Sequence, residues 1–234
     1  MPTINAAQNT FRDRLRVRLK SAGPRTRIYY TLDGTEPDEN STPYDGEFDL
    51  ERSAVVKAVA VEDGGLKSMT AVARFGRIKH DWTVKLLSRY SAQYTGGGDE
   101  GLIDGVRGTA HFGSGAWQGY QGRDFEAVVD LGRVETVKKL GAGFLQNVGS
   151  WILMPTRVEF ALSSDGEHFL PVLTIANEVP DTNRDSIIKD LVRTIPSAKA
   201  RFVRVRAYNY GKLPAWHPGA GSDAYIFIDE IIIE

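Results

Sequence analysis

Residues 200–207, ARFVRVRA, and residues 225–233, YIFIDEIII, decide the fold that we predict from this sequence. In the first stretch, Val203, Val205 and Ala207 alternate with two arginines, which is the period of a strand with one buried face. The second stretch is apolar at nearly every position, as in a strand that is covered on both faces. Two such strands indicate a β domain, and the segment that joins them is its most unusual loop.

The joining loop, residues 209–223 with the sequence NYGKLPAWHPGAGSD, is rich in glycine and proline. These residues exclude a continuing strand, so Trp216 and His217 are expected on a loop that a rigid sheet holds. Loops of this kind often carry binding residues. The loop is therefore our first candidate for function.

The composition of the 234 residues is that of a soluble globular protein. Lys and Arg total 29 and Asp and Glu total 30, so no excess charge attracts nucleic acid or an anionic membrane. The absence of cysteine excludes disulfides, thiolate metal sites and cysteine nucleophiles. No apolar run approaches the roughly 20 residues that span a bilayer, and the first residues do not start a signal peptide. We expect neither a nucleic-acid partner nor a membrane span.

The first third of the chain predicts a small β-sandwich. In residues 11–20, FRDRLRVRLK, apolar and charged residues alternate, and the solvated face of a half-buried strand explains the arginines better than nucleic acid does. Residues 53–62 form another strand, which the Asp-Gly-Gly turn at 63–65 joins to a partner in residues 66–75. Short strands, turns and the lack of a helical period indicate a sandwich.

Three motifs in this region carry a family resemblance: IYYTLDGTEP at 28–37, STPY at 41–44 and VKAVA at 56–60. With them, residues 1–78 resemble the small Ig-like module near the C-terminus of bacterial chitobiases and β-hexosaminidases. The resemblance implies a spacer or support role without catalysis. A short polar linker at residues 76–80 is expected to end this module.

Residues 79–234 predict a second β domain. Besides the two strands described first, alternation and turn signals predict strands at residues 82–87, 125–132, 156–163, 169–175 and 187–195. No stretch has a convincing helical period. We therefore expect an eight-stranded antiparallel jelly-roll β-sandwich, and an all-β chain.

Five motifs in the second domain occur in the order found in the discoidin domain, also called the coagulation factor 5/8 type C domain. They are LIDG at 102–105, VDLG at 129–132, SSDGEHF at 163–169, ARFVRV at 200–205 and IDEI at 228–231. The domain resembles this galactose-binding-like family and, within it, carbohydrate-binding module family 32. The two domains in this order resemble the C-terminal tail of bacterial family 20 glycoside hydrolases, the β-N-acetylhexosaminidases. The stretches QNVGSW at 146–151 and LPAWH at 213–217 add to that resemblance.

The resemblance implies a chain that is not itself an enzyme. It further implies a catalytic domain upstream in the parent protein, export of that parent (to the periplasm, the outer-membrane surface or the medium), and a monomer that binds a glycan. The residues agree with the lack of catalysis. Asp229 and Glu230 are neighbours on a strand and are expected to point to opposite faces, which excludes a general acid/base pair. The four histidines lack metal-ligand spacing.

The resemblance also implies a sugar site where loops converge at one end of the sandwich. A sugar requires an aromatic ring to stack on and side chains that donate and accept hydrogen bonds. The candidates on three loops are Trp216 and His217; Gln146, Asn147 and Trp151; and His111, Trp117 and Tyr120. Two alternatives stay open, because Trp117 and Trp151 also fit core or loop-anchoring aromatics and His217 also fits a hydrogen-bonded strut within its own loop.

Members of the family often carry a structural calcium ion, which takes about six to eight oxygen ligands. The family pattern maps onto Asp104, Thr109 and Glu230, so a structural Ca²⁺ is the cofactor that the resemblance implies. In this sequence residues 106–108, VRG, replace the usual Asn-Pro-rich middle of the loop. The alternative is that Asp104 is only a turn residue and Glu230 only the polar end of a strand.

Two functions follow from these resemblances. In the first, the chain is a carbohydrate-binding tail that targets an upstream β-hexosaminidase to galactose- or N-acetylhexosamine-containing glycans. In the second, it is a structural or protein-interaction tail whose aromatic loops pack on the catalytic domain. Fold resemblance does not decide between them, because discoidin-like sandwiches bind sugars, lipids and proteins.

Overall fold

The computed structural model describes residues 1–21, 23 and 25–234 and confirms the all-β prediction. The chain divides into two compact units, Met1–Lys79 and His80–Glu234. In the described part of the chain, helical structure is limited to three short 3₁₀ turns, Asp99–Leu102, Phe112–Ser114 and Val148–Ser150. Among the described residues, no helix is long and apolar enough to cross a membrane.

The first unit is a small sandwich of two sheets. Its strands are β1 Thr3–Ala6, β2 Thr10–Phe11, β3 Leu15–Lys20, β4 Thr26–Thr31, β5 Thr42–Pro43, β6 Phe48–Leu50, β7 Ala54–Glu62 and β8 Ala71–Arg77. One sheet has the order β1-β3-β6 and the other the order β2-β8-β7-β4-β5. Leu15, Val17 and Leu19 are buried in the core between them. On the opposite face of β3, Arg16 pairs with Asp49 at 3.1 Å, as expected for a solvated strand face.

The second unit is built on seven strands. They are β9 Thr83–Leu86, β10 Gln118–Gln121, β11 Phe125–Gln146, β12 Arg157–Ser163, β13 Leu170–Ala176, β14 Ile187–Ala207 and β15 Tyr225–Ile233. Hydrogen bonds join them in the order β10-β15-β11-β14-β12-β13, with β9 on the free side of β11.

Two of these strands, β11 and β14, are long enough to serve both layers of the sandwich. Their pairing is interrupted by bulges between Asp130 and Glu135 and between Val137 and Lys139. The first half of β11 pairs with β9 and its second half with β15. Both halves nevertheless face one core, because Val129 from the first half and Phe144 from the second lie in the same buried cluster. The sheet therefore folds over at the bulges into a layer of five strand segments and a layer of four.

This architecture agrees with the predicted jelly roll but has seven strands in place of the expected eight, and it refines their boundaries. The strands predicted at 187–195 and 200–207 are one strand, β14, bent where residues 195–197 leave the register of β11. Residues 133–146 continue β11, although the predicted strand ended at residue 132. Asp130, Leu131 and Gly132 form a bend inside the strand, where Gly132 adopts a positive φ of 78° and donates its N–H to Asp130 Oδ1 at 2.8 Å.

Candidate functional site

Two loops meet at one end of the second sandwich. The Trp151 loop (residues 147–156) joins β11 to β12, and the Trp216 loop (residues 208–224) joins β14 to β15. The N–H of Tyr225 donates to the carbonyl of Trp151 at 2.8 Å, and the N–H of Leu153 donates to the carbonyl of Tyr225 at 3.1 Å. Backbone hydrogen bonds therefore tie the Trp151 loop to the end of the Trp216 loop.

His217 locks the two loops together from the inside. Its side chain is buried, and its Nδ1 accepts the N–H of Gly219 at 2.9 Å. The proton consequently lies on Nε2, which is 2.8 Å from the carbonyl oxygen of Val148 and donates to it. Both ring nitrogens serve the protein itself. The assignment of His217 as a sugar ligand is therefore wrong. The alternative holds: His217 is a hydrogen-bonded strut of its own loop, and it also braces the neighbouring Trp151 loop.

Trp151 has the least common backbone conformation at this end of the domain. Its φ is 67°, the sole positive value at a non-glycine residue within the described ranges. A bulky residue in the left-handed region of φ/ψ space is rare, and its backbone is strained. A Cβ on Gly219 would lie 2.8 Å from Cε2 and Nε1 of Trp151, so the indole ring rests on the backbone of the Trp216 loop and needs a glycine there.

Two tryptophan rings remain open to solvent at this end. Trp151 is 37% exposed and Trp216 is 40% exposed, each a large fraction for a residue of this size. Trp216 packs edge-on against His217, with ring centroids 5.6 Å apart. The loop contacts described above therefore present both rings on a fixed backbone.

Gln146 and Asn147 hold the neighbouring loop, residues 177–186. Gln146 is 1% exposed, and its Nε2 donates to the carbonyls of Pro180 and Asn183, both at 3.0 Å. The Nδ2 of Asn147 donates to Ser186 Oγ at 2.9 Å. Because the amide protons of Gln146 are used in this way, Gln146 positions the loop and has no N–H left to donate to a sugar.

The third group of candidates divides between core and surface. Trp117 and Tyr120 are fully buried, with Trp117 Nε1 donating to the carbonyl of Thr109 at 2.9 Å and the Tyr120 hydroxyl donating to Gln118 Oε1 at 2.6 Å. Neither ring offers a face to a sugar, which corrects both assignments. His111 is exposed and stacks on Phe112.

A charged cluster lies on β15, at residues 229–230. Asp229 Oδ2 accepts the N–H of Gly108 at 2.8 Å and Arg107 Nε at 3.0 Å, while Glu230 Oε2 accepts the N–H of Gly105 at 3.0 Å. Both carboxylates thus reach residues 105–108, against the expectation of opposite faces. The reason is a β-bulge: Gly143 pairs with Glu230 and Phe144 with Ile228, which leaves Asp229 as the extra residue.

Two family models match the chain. Residues 87–228 match the F5/8 type C domain, and residues 6–73 match the chitobiase/beta-hexosaminidase C-terminal domain. The first match covers more than half of the 234 residues. The chain belongs to the F5/8 type C family. Both module resemblances found in the sequence are confirmed.

Several solved structures similar to this F5/8 type C chain are family 32 carbohydrate-binding modules. One, the module of AlyQ in complex with 4,5-unsaturated mannuronic acid, is 17% identical, covers 66% of this chain and 96% of its own, and has a TM-score of 0.40. A Clostridium perfringens module in complex with GalNAc-β-1,3-galactose is 16% identical, covers 65% and 94%, and has a TM-score of 0.43. A module of a family 31 glycoside hydrolase from the same organism is 15% identical, covers 65% and 89%, and also scores 0.43. No curated protein matches the chain.

The F5/8 type C resemblance implies a calcium ion, and the acidic residues fit one in part. Burial raises the pKa of Asp104 to about 6, and burial together with the charge of Asp104 raises the pKa of Glu230 to about 9. Two desolvated carboxylates that repel each other favour a proton or a cation between them. Within the described residues, no three His, Cys, Asp or Glu side chains form a metal-binding group. A calcium ion here would therefore need backbone carbonyls and water as well.

Thr109 uses its oxygen atoms in hydrogen bonds within its own segment, whereas Arg107 places a positive charge beside the acidic residues. The carbonyl of Thr109 is used by Trp117, and Thr109 Oγ1 accepts the N–H of His111 at 3.3 Å. Arg107, in contrast, forms ion pairs with both Asp229 and Asp190 and so supplies a fixed positive charge beside the acids. In the sequence, Arg107 is recognisable only as part of the VRG departure from the family pattern.

Proposed function

We propose that this chain is a non-catalytic carbohydrate-binding tail whose ligand stacks on Trp151 and Trp216. The observation that carries the proposal is the exposure of these two indole rings on loops that His217 and Gly219 hold in place. Flat, rigid aromatic surfaces bind the C–H faces of sugars and lose little conformational entropy on binding. Membership of the F5/8 type C family supports the same reading.

In the proposed setting the tail belongs to an exported glycosidase. The match of residues 6–73 to the chitobiase/beta-hexosaminidase C-terminal domain supports a β-hexosaminidase as the parent enzyme. The tail would then act as a monomer that keeps the upstream catalytic domain near galactose- or N-acetylhexosamine-containing glycans. Asp104 and Glu230 would hold a structural Ca²⁺ that fixes residues 104–108 against β15 and takes no part in catalysis.

A glycan array tests the proposal with matched variants. We expect the purified chain to retain terminal galactose or N-acetylhexosamine glycans, and Trp216→Ala and Trp151→Ala each to weaken the best hit about tenfold or more, as for the central aromatic of an interface. Phe169→Ala is the control, because Phe169 is a partly exposed aromatic outside these loops. Folded Trp variants that bind like the wild type would refute the site.

One observation favours the alternative of a structural tail. In the first unit Leu66, Met69 and Val72 are 68%, 74% and 49% exposed, and they lie in or beside the hairpin of β7 and β8. Exposed apolar residues close together in the chain are typical of a surface that another domain covers. A blank glycan array with folded protein, together with protection of Met69 from oxidation in the full-length enzyme, would favour this function.

A further inference from the structure

A cavity separate from the two exposed tryptophans opens between the 177–186 loop and the base of the Trp216 loop. Its volume is about 300 Å³, at the lower end of the range of small-ligand pockets. Leu153 and Met154, each 1% exposed, form its apolar part. Thr156, Asn177, Asp181 and Tyr210 supply its polar groups.

Most of the side-chain donors around the cavity are already used by the protein. Both amide protons of Gln146 go to backbone carbonyls. The Tyr210 hydroxyl donates to Asp181 Oδ2 at 2.6 Å, and Asn177 Nδ2 donates to the carbonyl of Val179 at 2.9 Å. Thr156 Oγ1 donates to the carbonyl of Tyr208 at 3.4 Å. Among these groups, one N–H of Asn177 is left to donate a hydrogen bond to a ligand.

The acceptors around the same cavity are in excess. Asp181 Oδ2 accepts the tyrosine hydroxyl, while Oδ1 has no hydrogen-bond partner within residues 1–21, 23 and 25–234. Asp181 forms no ion pair with any described residue, and no lysine or arginine is found among the described residues that line the cavity. The hydroxyl oxygens of Tyr210 and Thr156 also keep a lone pair free. The cavity therefore offers negative charge and acceptors to whatever enters it.

We propose that this cavity binds the protonated amine of an amino sugar, a 2-amino-2-deoxyhexose residue with a free amino group. An ammonium group has three donors and no acceptor, which matches the groups left free here, and its bond to Asp181 is charge-assisted. The C–H face of the ring would lie on Tyr210 and Val179, the partly exposed apolar side chains of the lining. An N-acetylated amino sugar lacks the positive charge and carries an additional carbonyl acceptor. The carboxylate of a uronate is repelled by the negative charge of the cavity. This site goes beyond the proposed function and does not depend on it.

Three β-1,4-linked disaccharides that differ at one substituent test the proposal: the dimers of glucosamine, N-acetylglucosamine and glucose. In titration calorimetry at low salt, we expect the glucosamine dimer to bind about tenfold more tightly than the other two. High salt should reduce this preference, because part of it is an ionic contact near the surface.

Asp181→Asn is the decisive variant, because an asparagine still accepts the Tyr210 hydroxyl and keeps the shape of the cavity while the charge is removed. It should abolish the preference for the glucosamine dimer. Asp185→Asn is the matched control, since it removes one charge from the same loop outside the cavity lining. A preference that survives in Asp181→Asn, or equal binding of all three dimers by the wild type, overturns the proposal.

Failure of this site and failure of the tryptophan site give different results. Trp216→Ala should keep the preference for the glucosamine dimer if the cavity binds it. Loss of the preference in Trp216→Ala but not in Asp181→Asn would place the amino sugar on the tryptophans and refute the cavity. If Asp181→Asn proves unfolded, the salt dependence in the wild type and the backbone NMR shifts of Asp181 and Met154 on titration decide the question instead.

Discussion

Arg107 Nε donates to Asp229 Oδ2 over 3.0 Å, and this bond fastens the loop after Asp104 to strand β15. The Asp229 side chain is completely buried, and its Oδ1 has no hydrogen-bond partner in the described chain. Arg107 is therefore the counter-ion of a buried charge. We expect Arg107→Ala to lower the free energy of unfolding of the second unit by about 3 kcal/mol, because Asp229 would be left buried without its counter-ion.

Urea denaturation followed by tryptophan fluorescence measures this change, since all four tryptophans lie in the second unit. Arg133→Ala is the control: Arg133 pairs with Glu135 but is 83% exposed, so its loss should cost less than about 1 kcal/mol. The double variant Arg107→Ala with Asp229→Asn should recover part of the loss. Equal stability of Arg107→Ala and the wild type would contradict the role of this arginine.

Gly143 should not tolerate a side chain. A Cβ at this position would collide with Asp229 Oδ1 and with the guanidinium of Arg107. Gly143→Ala is therefore expected to destabilise the second unit by about 2 kcal/mol through overpacking and displacement of the ion pair. Gly149→Ala, where the nearest atom is 4.0 Å away, should change stability by no more than about 0.5 kcal/mol. The same unfolding measurement compares the two, and similar values for both would argue against the packing described here.

The acidic pair Asp104 and Glu230 should make stability depend on pH. Burial raises the pKa of Glu230 to about 9 in the folded state, whereas an unfolded glutamate titrates near about 4.3. Between these values the folded chain holds a proton that the unfolded chain has released. Stability without added divalent cations should therefore fall as pH rises from 5 to 9, by at most about 1.4 kcal/mol per pH unit for this group.

Thermal unfolding across this pH range measures the slope, and Glu230→Gln should flatten it. Added calcium should stabilise the wild type most at high pH, because a cation favours the charged carboxylates. An unchanged slope in Glu230→Gln would show that another group controls the titration.

The His217 lock should be visible in local stability. His217→Ala removes the bonds to Val148 and Gly219, so amides in residues 213–222 are expected to exchange at least about tenfold faster with solvent. Sugar binding on Trp216 should weaken with it, because the ring loses its fixed backbone. His168→Ala is the control, since His168 is 84% exposed and contacts Asp165 in a surface turn. Unchanged exchange in His217→Ala would refute the lock.

The sequence was sufficient for the fold class because alternation is a local property. The apolar residues that alternate with charged ones around Val17 and Val203 lie on buried strand faces in the structure. Residues 133–146 were missed because charged residues and glycines mask the alternation, and only tertiary pairing with both β14 and β15 makes them a strand. The bulge at Asp229 was missed for the same reason, since it depends on register with Gly143.

The candidate site was less predictable because burial of a loop side chain depends on distant partners. Trp117 and Trp216 both lie in segments rich in glycine, alanine or proline, yet one is buried and the other is exposed. His217 and Gln146 have the hydrogen-bonding groups of sugar ligands, but they use them on backbone carbonyls. Asp181 and Tyr210 are 29 residues apart and belong to no motif, so their pairing has no signal in the sequence.

The position of β15 between β10 and β11 has a consequence for biosynthesis. Leu140 of β11 pairs with Ile233 of β15, and Gln118 of β10 pairs with Ile228 of β15. Neither β10 nor this part of β11 therefore has its β15 partner until the last strand has been synthesised. Such long-range pairing makes folding slow, and unpaired strand edges are prone to aggregation. We conclude that β10 and residues 140–145 of β11 emerge from the ribosome without their β15 partner, and that this half of the domain closes only when the segment 225–233 has been synthesised.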